Sequence, residues 1–597
     1  MATPTLEQIK EAASLLVDRY GITPHLIKKL YGERHFDAVK QLYQIAGNET
    51  CDVKKQAELL ISKKGALLFA GNEEPVKQLR RKILERADEE TIRALYRKHD
   101  PNGTKQHISY IIGDLANKPW VSGKRWAIDF VRTFHFPEVF AGIENHRKNL
   151  PEFFDVPARR RLPELVEFQK KLKEEMKKIL ELKGRETRCI VTLPTGGGKT
   201  RVAVEAFIEW MQPRFSQQKY LLWIAQSQEL CEQAIQCIAS VWGENYFVED
   251  LRIYRFFQGT RLKSEHLVGG VVVSSIQQLY SRLKSKDPVL IEVLQNLGAM
   301  IIDEAHHAVT KMYKELIEAV DQFCGEGQYP ICGLTATPGR NGDETGKLVD
   351  FFKAQLITPP LGPEYDSNPV KYFREHGYLS RATHVVMKSG ILYELTEDEL
   401  KAFVDESDNH EFIEHKFLKK LAADRKRNTL ILQRLLNIPQ GNRVLVYACT
   451  VEHAEMLASM MSALGRRSAS ISAKTPVSLR RVLIEEFRNG QIEFLFNFGV
   501  LTTGFDAPKT NYIVICRPTT SVILYEQIVG RGMRGPKFRG TPDCTVIDFS
   551  DNILRMGVQM AYSRFSEEWP DYWEEEREET GMISGTEEAA ASTESAR

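Results

Sequence analysis

A chain of 597 residues with 42% hydrophobic and 27% charged content is ordinary for a soluble globular protein and long enough for about four domain-sized units. Its formal net charge of +1 argues neither for nor against a polyanionic partner, and no run approaches the ~20 apolar residues of a membrane span. The nine cysteines are scattered without a C-x-x-C pair, which fits free buried thiols rather than disulfides or zinc; the first residues lack the layout of a signal peptide, so the expected setting is cytoplasmic with no membrane partner.

Residues 1–150 read as an all-helical N-terminal domain. Two stretches look like an internal repeat: "LIKKLYGERHFDAVKQLYQ" from Leu26 aligns with "LRRKILERADEETIRALYR" from Leu79. The alignment pairs Leu26 with Leu79, Leu30 with Ile83, Val39 with Ile92, and Leu42-Tyr43 with Leu95-Tyr96. A polar turn and a further amphipathic helix follow each copy. Basic clusters recur at Lys28-Lys29, Arg80-Arg81-Lys82 and Arg159-Arg160-Arg161. "KPWVSGKRWAIDF" interleaves Trp120 and Trp126 with Lys118, Lys124 and Arg125, a pattern that suits base stacking. Large aromatics are more often core anchors, and that reading is preferred here. The histidines of this region show no metal-ligand spacing, and no nuclease carboxylate–lysine cluster is evident.

From Arg188 onward, short continuously apolar runs alternate with helical patterns: "RCIVTLP", "YLLWIAQ", "GGVVVSS", "AMIID" and "ICGLTAT", then "NRVLVYAC", "EFLFNF", "NYIVICRP" and "CTVIDFS". Strands of that kind belong to a parallel sheet covered by helices on both faces. Two doubly wound α/β domains are expected, at 151–340 and 430–573, the second including a C-terminal helix. Residues 341–429, charged and turn-rich, read as a connecting region. The acidic stretch 574–597 reads as disordered.

"CIVTLPTGGGKTRVAVEAF" is a strand, a glycine-rich turn and a helix. Across Thr195–Thr200, Gly196, Gly197 and Gly198 let backbone N–H groups curl around phosphate oxygens at a helix N-terminus. Lys199 adds a point charge for the β- and γ-phosphates, and Thr200 a Mg²⁺ ligand. The strict pattern asks for glycine six residues before the lysine, where this chain has Leu193. "MIIDEAHH" ends a second apolar strand in two acids. Beside a phosphate loop, Asp303 is placed to hold Mg²⁺ and Glu304 to polarise an attacking water.

In this order, "PTGGGKT" (a Walker A loop), "DEAH", "LTATP" and "QIVGRGMR" resemble the motifs of superfamily-two helicases. The restriction-enzyme-like branch is the one indicated: the motor subunits of type I and type III restriction enzymes and related repair translocases. The resemblance spans roughly Leu162 to Asp551 and implies two RecA-like domains that use ATP and Mg²⁺. It implies that Gln169 reads adenine, that His306, Thr335 and Thr337 couple hydrolysis to the polymer, and that Gly504 and Asp506 of "LTTGFDAP" contact nucleotide across the cleft. "QIVGRGMR" matches Q-x-x-G-R-x-x-R through Gln527, Gly530, Arg531 and Arg534. An arginine fork from the second domain makes hydrolysis depend on cleft closure.

The resemblance also implies a polymer lying across both domains on phosphate contacts, with Gln226, Ser227, Ser274, Ser275, Thr450 and Thr502 as candidates. Relatives often carry a basic residue near Ser227; this chain does not. The helical repeat is similar to SAP-type DNA-binding modules and would supply extra grip. The expected function is a DNA helicase or translocase that works with a separate nuclease or defence subunit docked on the N-terminal domain, in antiphage defence or repair. The alternative is an ATP-gated clamp that signals to an effector without unwinding.

Overall fold

The computed structural model describes residues 3–47, 49–101, 103–143, 153–156, 164–182, 186–244, 250–257, 262–336, 344–365, 369–388, 410–501, 507–517, 522–550 and 573–574. A helical N-terminal part precedes two parallel sheets layered with helices, the architecture expected from the continuous apolar runs.

The first sheet contains β1 (Phe153–Val156), β2 (Arg188–Thr192), β3 (Tyr220–Ala225), β4 (Leu251–Phe256), β5 (Gly270–Ser275), β6 (Leu297–Asp303), β7 (Ile331–Thr335) and β8 (Leu356–Ile357). Their order is β1-β4-β5-β3-β6-β7-β2-β8, and only the β1 edge pairs antiparallel. The second contains β9 (Arg381–Lys388), β10 (Val444–Tyr447), β11 (Ser468–Ile471), β12 (Phe494–Asn497), β13 (Tyr512–Ile515), β14 (Asp543–Ser550) and β15 (Trp573–Glu574). It runs β11-β12-β10-β13-β14-β9-β15, every described pairing parallel. Parallel strands joined by crossover helices put all their C-terminal ends on one edge of a sheet. That edge is where both sets of motif residues fall.

The connecting region 341–429 is not a plain linker. It contributes β8 to the first sheet and β9 to the second, with helices Pro369–Glu375 and Arg425–Leu436 between or after them. β9 was hidden in the sequence because "RATHVVMK" has polar residues at alternate positions and charged ends. It pairs with β14 along its whole length, from Arg381↔Asp543 to Lys388↔Ser550. The expected C-terminal helix lies outside the described residues except for Trp573, which with Glu574, the first residue of the expected disordered tail, pairs with β9 as a short strand. The acidic tail beyond Glu574 also lies outside them.

The internal repeat is visible in three dimensions. Helices Pro24–Tyr31, Glu33–Gly47 and Val53–Lys64 are followed by Glu74–Leu84, Glu89–His99 and Ile108–Asn117. In each copy the first and third helices pack on one another, and the two first helices pack together. Every residue paired in the alignment, from Leu26 and Leu79 to Tyr43 and Tyr96, is buried. Trp126 is buried against Phe130, and Trp120 packs on Phe69 and Phe130, so both tryptophans are core anchors.

The N-terminal helices share one apolar core with the second sheet. Helix Val53–Lys64 lies along helix Val451–Ala463, and Glu33–Gly47 lies on Arg425–Leu436. Tyr31 and Ser459 exchange a hydroxyl hydrogen bond of 2.8 Å across this contact, and Lys63 meets Glu455 at 3.3 Å.

Candidate active site

The strand order places the motifs in sequence along one sheet edge. Reading β5-β3-β6-β7-β2, the chain leaves at Ser275, Gln226, Asp303, Thr335 and the glycine-rich loop. The acids therefore stand between the loop and the polar residues assigned to the polymer.

The loop itself is built by left-handed backbone. Gly196 and Gly198 have φ of +88° and +90°, and Gly198 starts the helix Lys199–Met211. Gln169 is buried beneath them; its Oε1 accepts the Val166 N–H at 3.2 Å and its Nε2 donates to the Gly197 carbonyl at 3.0 Å. That amide leaves no room for a Cβ at Gly198, 2.5 Å away. Gln169 thus ties the start of its own helix to the loop. Lys199 Nζ donates to the Leu193 carbonyl at 3.0 Å, folding back over the loop. Thr195 and Thr200 are half-buried beside it.

Asp303 ends β6 and is buried; its Oδ1 accepts the Glu304 N–H at 3.1 Å. Burial, then the neighbouring Glu304 carboxylate, push the Asp303 pKa up to about 7, while Lys199 and Arg531 pull it down. Glu304 adopts left-handed backbone, φ +51° and ψ +53°, a conformation that costs a non-glycine residue about 1–3 kcal/mol and clusters at functional sites. His306 is fully buried, its Nδ1 3.1 Å from Thr335 Oγ1 and 3.5 Å from a Glu304 oxygen. His307 stacks on it at 4.2 Å. Gly333, unremarked in the sequence, lets this turn pack: a Cβ there would meet Ala305 and Phe352, each at 2.6 Å.

The second sheet brings its arginines to the same place. Helix Val522–Val529 carries Gln527, and the chain turns at the buried Gly530 to present Arg531 and Arg534, both half-buried. Arg534 Cγ would lie 3.4 Å from a Cβ on Gly196, so this side chain covers the glycine-rich loop of the other sheet. The turn is clamped by a segment that sequence reasoning missed. Leu379 bridges to Arg534, Ser380 N–H donates to the Met533 carbonyl, and Ser380 Oγ donates to the Arg534 carbonyl at 2.7 Å. Cβ atoms at Gly535 and Gly540 would run into backbone at Gly377 and Arg534. The density of glycine in "GRGMRGPKFRG" was the available signal. Upstream, Phe168 packs edge-on against Phe373 and Tyr378 at 5.0 and 5.2 Å, linking the helix that carries Gln169 to the crossing between sheets.

The residues assigned to the polymer divide. Ser227, Ser275 and Thr450 sit at helix starts after β3, β5 and β10, their hydroxyls accepting N–H groups of Leu230, Gln278 and His453. Helix N-termini on an open sheet edge favour phosphate oxygens. Gln226, half-buried, donates to the Tyr313 hydroxyl at 2.9 Å. Ser274 is a correction: it is fully buried and donates to the Phe256 carbonyl at 2.5 Å, so it ties β5 to β4 and is not available to a polymer. Ser275 and Thr450 are themselves largely buried, so what they offer the edge is a capped helix start and not a free hydroxyl. Thr337, Thr502, Gly504 and Asp506 lie outside the described residues. Among the described residues no cluster of histidine, cysteine and acid side chains is arranged to hold a metal by itself. No described helix is long and apolar enough to cross a membrane.

A phosphate loop and acid pair on one parallel sheet, capped by an arginine turn from a second, form a candidate nucleotide site divided between two domains. Residues 163–340 match the family model described as type III restriction enzyme, res subunit, and residues 427–535 match the helicase conserved C-terminal domain. The two matched segments contain the first sheet's motif strands and the second sheet's arginine turn. The chain is similar to IRC3 of Saccharomyces cerevisiae, named as a candidate ATP-dependent helicase, at 24% identity over 374 residues; the match covers 61% of this chain and 48% of that one. The type I restriction enzyme EcoKI endonuclease subunit of Escherichia coli is 25% identical over 406 residues, covering 59% and 32%. Among solved structures, the helicase MrfA bound to DNA aligns with a TM-score of 0.44 and 16% identity, covering 72% of this chain and 57% of that one. The chain thus spans about half the length of the yeast relative and about a third of the bacterial one.

Proposed function

We propose that this chain is an ATP-driven motor on nucleic acid, with DNA as the polymer. The observation that carries the reading is the split site: Asp303, Glu304 and Lys199 belong to the first sheet, while Arg534 of the second lies against Gly196 and Arg531 acts on Asp303. In this reading Gly196–Lys199 cradle the phosphates. Thr200 and Asp303 would hold Mg²⁺, which fits a buried carboxylate whose ionised form burial opposes; the ion neutralises phosphate charge when bound. Glu304 takes the proton of the water that attacks the γ-phosphorus as the bond to the β-phosphate oxygen breaks. Arg531 and Arg534 stabilise the charge on the transferring group, with Gln527 beside them.

The same edge supplies the coupling. His306 joins Glu304 to Thr335 and stands between the phosphate loop and the helix starts at Ser227 and Ser275. Closing the cleft would bring Thr450 of the second sheet toward those groups, and hydrolysis would release it, advancing the polymer. Two relatives suggest the setting. The match to restriction-enzyme subunits favours a motor that works with a separate nuclease or defence subunit, in antiphage defence or DNA repair, and the N-terminal helices are the docking surface for it. Because those helices share a core with the second sheet, an ATP-gated clamp that signals closure to a partner is the second reading.

The test is an ATP turnover titration with single-stranded, duplex and forked DNA and with RNA. Stimulation by DNA is expected, with Glu304→Gln still binding ATP and polymer but not turning over. Turnover indifferent to every polymer over a wide salt range would sink the motor reading. Strand- and triplex-displacement assays separate motor from clamp, since a clamp displaces neither.

A further inference from the structure

The helical N-terminal part and the second sheet meet along a seam, and the seam holds a cavity of about 180 Å³ whose walls include neither the glycine-rich loop nor the arginine turn. That space is many times what one water needs. One wall is the C-terminal end of helix Val53–Lys64; the other is the end of edge strand β11, the loop after it and the start of helix Val477–Arg488.

Charge is unevenly distributed around it. Lys63, Lys64 and Lys474 line the cavity against a single carboxylate, Glu455. Lys63 answers that carboxylate at 3.3 Å and donates to the Tyr31 carbonyl at 2.8 Å. Lys474 stands exposed at the mouth, 3.8 Å from Glu452. Lys64 is half-buried and makes no hydrogen bond or ion pair with any described residue. Burial, then the adjacent Lys63 charge, push its pKa down, and the Glu73 and Glu455 carboxylates offset this only in part. A partly desolvated cation beside a like charge is costly unless an anion answers it. Helix Val477–Arg488 begins with no side-chain cap, and Pro476 and Leu479 at its start line the cavity. Two cations and a helix start thus border one space, donors of the kind a phosphate's several acceptor oxygens require.

We propose that this seam is a phosphate-binding site, in which Lys64 is the central ligand, Lys474 closes the mouth, and an occupant ties the N-terminal helices to the second sheet. The phosphate comes from a nucleic-acid backbone or from a small polyphosphate compound. The inference is independent of the motor reading, since the second source needs no polymer.

Calorimetry on the full chain tests it, with the glycine-rich loop first saturated by a non-hydrolysable ATP analogue. One arm titrates inorganic tripolyphosphate and the other a short single-stranded oligonucleotide. Lys64→Gln is expected to weaken binding about tenfold in at least one arm, the scale of a charge-assisted hydrogen bond, and Lys64→Arg to retain it. An effect on tripolyphosphate alone assigns the small-molecule source; an effect on the oligonucleotide assigns the backbone. Lys474→Gln, at an exposed position that does not threaten folding, weakens the same arm and decides the matter if Lys64→Gln fails to fold. Unchanged affinity in both arms for these variants, or no binding of either probe by the unmodified chain, overturns the site.

Discussion

The two sheets position charge by opposite means. At the end of β6 the first sheet buries Asp303 beside a half-buried Glu304, sets Glu304 in left-handed backbone, and leaves Asp303 with a pKa raised to about 7. In the second, the arginines ride on a glycine-dense turn that meets backbone at Gly535 and Gly540, clamped by Leu379 and Ser380. The acids are held by burial and are electrostatically uncomfortable alone. The arginines are held by backbone geometry and lie where they relieve that discomfort. In the proposed reading, chemistry divided in this way needs the two sheets together, and that requirement would couple turnover to movement.

The strongest way to break the comparison is to remove the charge that crosses the cleft. Arg531→Ala is expected to lower ATP turnover by about 10³–10⁵-fold, the range of an arginine that stabilises a transferring phosphoryl group. ATP binding, followed with a fluorescent analogue, should change far less, because the cradle is built by the first sheet. Comparable loss of binding and turnover would mean the arginine serves the ground state. On the acid side, Glu304→Gln should cost about 10²–10⁴-fold, the scale of a general base, with ATP and polymer binding retained. A smaller effect follows from geometry without touching charge. Gly540→Ala drives a Cβ into the Arg534 carbonyl, which already accepts from Ser380 and Thr541. Displacing the arginine turn by about 1 Å should cost about 100-fold in turnover, with far-UV circular dichroism unchanged. Normal turnover in Gly540→Ala would show that the turn tolerates movement and that its glycines are structural only.

What could be read in advance follows the same division. Continuous apolar runs ending in "PTGGGKT" and "MIIDEAHH" announced strands, their parallel packing and the residues at their ends, because burial on both faces leaves no other pattern. Residues that act through backbone left little trace. Ser380 and Leu379 lie more than 150 positions from Arg534, in a segment taken for a connector, and nothing local marks them as its clamp. β9 was missed for the related reason that its strand pattern is half polar. For Gln169, the sequence pattern of an isolated glutamine does not reveal that its amide bonds Val166 and Gly197. Ser274 and Ser275 differ only in strand parity, which requires the register to be known.

The smallest expected effect sharpens the comparison through pH. In the second sheet His453 is buried beneath Thr450; its Nδ1 accepts the Cys449 N–H at 3.2 Å, so the proton lies on Nε2, which donates to Asn428 Oδ1 at 2.9 Å. This is a fully satisfied neutral ring, and protonation would point a second N–H at the Cys449 donor. Burial, then the Arg427 charge, lower its pKa to about 3, and burial lowers His384 on β9 to about 4. An unfolded histidine titrates near 6.5, so between those values the unfolded chain binds the proton and the folded one does not. Stability of the second sheet is therefore full above about pH 6.5 and is lost as pH falls toward the folded values. Asp303 has the opposite sign: with its pKa raised, the folded first sheet takes up a proton as pH falls through 7 and is relieved by it. Hydrogen exchange at pH 7 and pH 5 should show peptides of β10 and helix Val451–Ala463 losing protection in acid before those of β6. His453→Gln, which can accept and donate at the same two places without titrating, should narrow that gap; equal acid sensitivity of both sheets in the unmodified chain would remove the electrostatic contrast between them.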